Sequence, residues 1–161
     1  MALVDYFLKI DGFKGECQDS KHKDEIEVES FSWGETQSGT ARAGGGMGAG
    51  KVSMQDFHFV MRVNKASPKL MLACAQGEHI GKAVLTCRKA GKDQQEYLTV
   101  TFGDIMVTSY QTNGGSADVI PMDQISLNFA KVEVDYKEQK AAGTLGGSVK
   151  AGYDVKLQKA I

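Results

Sequence analysis

The run Gly45-Gly46-Met47-Gly48-Ala49-Gly50-Lys51-Val52 comes close to the phosphate-cradling pattern G-x-x-x-x-G-K-[ST]. That chemistry needs a hydroxyl after the lysine to hold Mg²⁺, and a helix whose first N–H groups meet the phosphate. Position 52 is valine, and the residues after it alternate apolar and polar as a strand does, so the phosphate reading fails. His22, His58 and His79 share no i, i+4 or C-x-x-H spacing, and no metal is expected from them. His58, between two phenylalanines, reads as a satisfied, partly buried side chain. Cys17, Cys74 and Cys87 contain no C-x-x-C pair and suit a reducing compartment. A Cys–His pair needs only to meet in space, but Cys74 sits in an apolar helical stretch and Cys87 in a strand, where a small buried hydrophobe is the ordinary role. Glu25, Glu27 and Glu29 place three carboxylates on one strand face. Paired carboxylates serve glycoside hydrolysis, and a solvated strand face is the simpler reading. Neither an enzyme nor a cofactor is expected.

The elements that must position these residues are mostly strands. Val4, Tyr6, Leu8 and Ile10 share one face of a first strand, closed by Gly12 and Gly15. Further strands are expected over Glu25–Trp33, Val52–Val63, Ala83–Lys89 and Glu96–Gln111, the last with a bulge or bend at Gly103. Another runs over Asp123–Tyr136. There the apolar face changes from Ile125, Leu127 and Phe129 to Ala130, Val132, Val134 and Tyr136, which calls for a bulge or a turn-over of the strand. Tyr153, Val155 and Leu157 point to a final strand. One helix, Ser67–Gly77, carries serine at the cap, proline in the first turn and glycine just past the end. In Phe31-Ser32-Trp33-Gly34 the two rings take one face, as core anchors, and Ser32 the other.

The fold class expected is mainly β: a small β-barrel of two packed sheets with one flanking helix and a long extended Gly-rich loop, a single domain over 1–161. With 19 Lys+Arg against 20 Asp+Glu the net charge is −1, which excludes a strongly basic nucleic-acid binder. The N-terminal MALVDYFLKIDG lacks the basic start and unbroken apolar run of a secretory signal, and no apolar run reaches the ~18 residues of a transmembrane helix, so no membrane association is expected. Seven of the 19 glycines fall between positions 34 and 50. Fixing such a segment costs much backbone entropy, which makes sense if a neighbouring subunit helps to fix it.

These segments resemble, in order and almost end to end, the haemolysin-coregulated protein family, Hcp, of the bacterial type VI secretion system. The stretches that carry the resemblance are VDYFLKIDGFKGE, KHKDEIEVESFSWG, GGGMGAGKV, ASPKLMLACAQGEH, LTCRKAG with EYLTVTF, ISLNFAKVEVDY and AGYDVKLQKA. The resemblance implies a homo-hexameric ring with a central channel, rings stacked into the inner tube of a contractile machine, and partnership with its sheath, baseplate and VgrG spike. It also implies small effectors carried in the lumen, and a protein made in the cytoplasm and then expelled without a cleaved signal. By the same resemblance the segment from Gly34 to Gly50 is the arm that reaches an adjoining subunit or ring, with Gly44, Gly45, Gly46, Met47, Gly48 and Lys51 at the ring or stacking interface. Ser32, and after it Ser30, is the expected channel-facing, effector-contacting position.

Overall fold

The computed structural model describes residues 3–39, 49–91 and 94–161. Among these residues eleven strands and one helix occur in order. They are β1 (Val4–Ile10), β2 (Ile26–Glu27), β3 (Ser30–Ser32), β4 (Glu35–Gly39), β5 (Ala49–Met54), β6 (Phe57–Arg62), α1 (Ser67–Gln76), β7 (His79–Lys89), β8 (Glu96–Asn113), β9 (Met122–Gln139), β10 (Leu145–Asp154) and β11 (Lys159–Ala160). Every pairing is antiparallel, and nine strands form one connected ladder while β4 and β5 pair only with each other.

The long strands β8 and β9 carry the architecture. Residues 122–127 of β9 pair with β6, and residues 131–139 of the same edge pair with β10. The ladder therefore splits into two packed layers that share β8 and β9: β1–β7–β8–β9–β10–β11 on one side, β8–β9–β6–β3 on the other. The corner between them is visible in the burial pattern. In β9 the buried face runs through Ile125, Leu127 and Phe129, then shifts to Ala130 and Val132; in β8 it shifts from Val100 and Phe102 to Ile105 and Val107; in β7, from Leu85 and Ala83 to Ile80. All three shifts lie at one level, where Asp104 adopts φ 52° and is absent from the ladders to β7 and β9. Strands that pass from one packed sheet to the next must turn over at the corner. The turn-over expected near Phe129 is thus real, but no register shift occurs there. Of the bulge or bend expected at Gly103, no bulge is present, while the turn-over at Asp104 lies directly beside it; the register shifts lie at Cys87/Arg88 and Val107/Ser109.

Two expected strands are interrupted because their halves serve different partners. Glu25–Trp33 divides into β2, paired with β1, and β3, paired with β6. Between them Val28 N–H donates to the Tyr6 carbonyl and Glu29 N–H to the Val60 carbonyl, so the chain itself crosses from one layer to the other. No β1–β6 ladder completes the circuit among the described residues, and the barrel stays open at this seam. Val52–Val63 divides at Gln55-Asp56 into β5, in the hairpin, and β6, in the sheet. The last strand begins earlier than expected, at Leu145; Val155 and Leu157 fall in the turn before β11.

The interior is filled by side chains from both layers. Phe57, Phe59 and Phe102 are fully buried, with ring centres of Phe57–Phe102 and Phe102–Phe129 each 4.7 Å apart. Each ring removed from water contributes about 1.5–3 kcal/mol. Trp33 closes the stack edge-on, 6.1 Å from Phe102 and 6.2 Å from Phe129, as a core anchor should. Helix α1 packs on β8 through buried Leu70 and Ala73, and Gly77 ends it at φ 62°. The helix starts differently from expectation. Ala66 occupies the cap position without a side-chain bond, and Ser67 is the first helical residue, its Oγ donating to Asp123 Oδ2 at 2.6 Å.

Candidate functional site

Strand β3 alternates as its sequence requires: Phe31 turns inward against Tyr6 and Phe57, while Ser30 and Ser32 are exposed on the outer face. Register extends that face across four strands. Ser32 lies beside His58, then Ser126, then Ser109; Ser30 lies beside Val60, then Gln124, then Gln111. His58 is half-buried with Nδ1 3.1 Å from Ser126 Oγ, in agreement with a satisfied side chain. At one end of the face Asp56 accepts from Thr108 Oγ1 at 2.6 Å and from Asn128 Nδ2 at 2.9 Å. At the other, Arg62 pairs with Glu29 at 3.2 Å. Between them the surface consists of hydroxyls, amides, one imidazole and the half-buried Val60. Such polar groups exchange hydrogen bonds with water at little net gain, so the face is hydrophilic.

Beyond Trp33 the chain leaves the sheet as the β4–β5 hairpin. All of β4 is exposed, and Lys51 projects into solvent from β5. Lys51 is therefore a strand residue and not the start of a phosphate-binding helix. Gly44, Gly45, Gly46, Met47 and Gly48 lie outside the described residues. Along one side of the hairpin a cleft of about 420 Å³ separates Glu35, Gln37 and Val52 from Tyr153 of β10. Nearby on the β9–β10 pair, Tyr136 and Val149 sit opposite each other and are 45% and 70% exposed.

A polar clasp on the opposite layer was not foreseen. The loop after β1 folds back over the outer face of β1 and β7, and buries His22 on the Phe7 ring, 4.1 Å away and parallel. His22 Nδ1 lies 2.9 Å from Glu25 Oε2, and Nε2 lies 2.6 Å from Glu96 Oε1. Arg88, buried and stacked 4.6 Å from the Phe7 ring centre, donates to Asp5 at 3.0 Å and to Asp19 at 2.8 Å. The bond from Arg88, with one from the Lys21 N–H, holds the Asp19 carboxyl down at about 2. The same contact with Asp19 pushes the guanidinium of Arg88 up. The signal was present as the i, i+3 spacing of His22 and Glu25, but Glu96 is 74 residues away from His22 in sequence. The three carboxylates expected on one face are divided accordingly: Glu25 turns onto His22, Glu29 onto Arg62, and Glu27 stays in solvent.

The cysteines are free thiols; Cys17 and Cys87 are buried, and burial pushes Cys87 up to about 11. No group of three or more His, Cys, Asp or Glu side chains is placed to hold a metal ion among the described residues. Among the described residues no helix is long and apolar enough to cross a membrane.

Residues 7–136 match the family model described as "Type VI secretion system effector, Hcp". The chain is 46% identical over 155 residues to Protein hcp1 of Pseudomonas aeruginosa, covering 95% of this chain and 96% of that one. Among solved structures it superimposes on Hcp1 from Salmonella typhimurium with a TM-score of 0.85 and 40% identity, covering 99% of this chain and 100% of that one. A structure titled as a type six secretion system protein gives a TM-score of 0.93 at 29% identity, covering 98% of this chain and 99% of that one.

Proposed function

Because the chain belongs to the Hcp family of the type VI secretion system, we propose that it is a structural, non-enzymatic subunit of that system's inner tube. Six copies close into a ring around a channel, and rings stack beneath the VgrG spike and inside the sheath, on the baseplate. The tube carries small effectors in its lumen and is expelled from the cytoplasm without a cleaved signal. In this reading the neutral polar face of β3–β6–β9–β8 lines the channel, with Ser32 and Ser30 able to touch cargo. The arm through Gly44, Gly45, Gly46, Met47 and Gly48, with Lys51 at its base, reaches a neighbouring subunit or ring.

The observation that carries the reading is the β4–β5 hairpin. Among the described residues it pairs with no other strand, and one of its strands is wholly exposed. A two-stranded hairpin is marginal in water on its own, so something else must hold it. The exposed Tyr136–Val149 pair supports the same view, since an apolar patch on a sheet face suits contact with a second copy. Negative-stain imaging with light scattering of the purified protein is the test. Rings with a central hole and the mass of six subunits are expected. A single-subunit mass at high concentration would overturn the proposal.

A further inference from the structure

A cleft of about 500 Å³ opens where the end of β1, the loop over residues 14–25 and the first turn of α1 meet. Five lysines line it (Lys9, Lys14, Lys21, Lys23 and Lys69) against two carboxylates, Asp24 and Glu25. Five minus two leaves three positive charges at one spot on a chain whose net charge is −1. Glu25 is already engaged by His22, and none of the five ammonium groups lies within ion-pair distance of a carboxylate among the described residues. The wall bearing three of these lysines is also held in place. Lys21 and Lys23 flank His22, whose ring is locked under the loop by Phe7, Glu25 and Glu96, so its neighbours point outward. Gly15 N–H donates to the Asp24 carbonyl, and a side chain at Gly15 would strike the Glu25 carbonyl. The backbone that carries Lys14, Lys21 and Lys23 is therefore held in place in the free chain.

We propose that this cleft docks an acidic peptide segment of another protein. Lysines are single point charges, and here they surround a floor that includes Ile10 and Phe13. Separated carboxylates on a chain with small apolar residues between them match that layout. A phosphate group is better served by the forked donors of arginine, and no arginine lines the cleft. Docking at this cleft does not depend on tube formation.

The test is fluorescence anisotropy of a labelled decapeptide of alternating glutamate and alanine, titrated with the purified protein at low ionic strength. Saturable binding that weakens as salt rises is expected. The triple reversal K14E/K21E/K23E should weaken it by roughly tenfold to a hundredfold, three exposed ion pairs combined. The control K140E/K156E/K159E, with the same change in net charge, should stay within about twofold. If the reversal fails to fold, K14Q/K21Q/K23Q replaces it, and a loss of roughly threefold or more is required. Absence of saturable binding, or an equal loss in the control, overturns the proposal. So does inorganic polyphosphate displacing the peptide at concentrations far below those at which the unlabelled peptide displaces it, since the cleft would then be a phosphate site.

Discussion

Replacing Ser67 separates two roles for one residue. If Ser67 capped α1, aspartate would serve as well as serine, and alanine would cost about 1 kcal/mol. In the structure Ser67 Oγ instead donates to Asp123 Oδ2 at 2.6 Å while accepting from the Asn64 N–H at 3.0 Å. Asp123 is fully buried; its other side-chain donor is the Tyr110 hydroxyl at 3.1 Å, and its Oδ1 has no partner among the described residues. Ser67→Ala therefore takes one of two donors from a buried carboxylate and should cost about 2 kcal/mol, the scale of a hydrogen bond to a charged group. Ser67→Asp adds a second carboxylate beside the first. Two charges about 4 Å apart repel by about 4 kcal/mol at an effective dielectric constant near 20, so this variant should lose clearly more than the alanine variant. Urea unfolding followed by the single tryptophan, Trp33, which packs on Phe102 and Phe129, gives both values at fixed protein concentration. Tyr110→Phe in the Ser67→Ala background should cost more than in wild type, because the carboxylate then loses its last donor. A Ser67→Asp protein as stable as wild type, with alanine the weaker substitution, would restore the cap and refute the anchor.

Four further outcomes are expected from other parts of the molecule. Ser32→Gln adds length to an exposed β3 side chain, so the unfolding midpoint should move by less than about 0.5 kcal/mol while effector co-purification falls; unchanged co-purification would remove Ser32 from the channel. Deleting Gly44–Gly48 should reduce tube stacking and secretion more than it lowers Tm, and an equal loss of both would place the segment in the core. Arg88 holds the Asp19 carboxyl down at about 2, below its ordinary 3.8. The stabilisation is thus fully present above that ordinary value and lost as pH falls through about 2; the stability gap between wild type and Asp19→Asn should shrink over that window, and a gap that widens toward pH 2 contradicts it. Burial pushes Cys87 up to about 11, so iodoacetamide at pH 8 should modify it only after unfolding, as read by mass spectrometry of native and urea-treated protein.

The fold was legible wherever a local pattern suffices. β1 spans Val4–Ile10 as its alternation requires, and α1 ends at Gly77 because only a residue tolerant of positive φ closes a helix that way. The polar side of Phe31-Ser32-Trp33 was legible as well, since parity alone sends Ser32 away from the rings. What was not legible depended on partners remote in sequence. Glu25–Trp33 reads as one strand because apolar and polar residues alternate along it; it breaks because Ile26 pairs with Leu8 and Phe31 with Phe59. Phe7 falls on the polar side of β1 by alternation, yet it is buried, because the loop carrying His22 folds over it.

By itself, then, the sequence determined most of the strands, where the one helix lies, and that the glycine excess belongs to a single segment; it did not show β4, which falls in the segment expected as a loop, or the part of β10 before Tyr153. Those properties come from side-chain period and backbone freedom, which act over a few residues. Tertiary structure alone decided that β7 and β8 turn over at the same level as β9, that Ser67 anchors a buried aspartate, and that the KHK run faces one histidine inward and two lysines out. Burial and hydrogen bonding are set by whatever lies across the interface, and that is known only once distant strands have met.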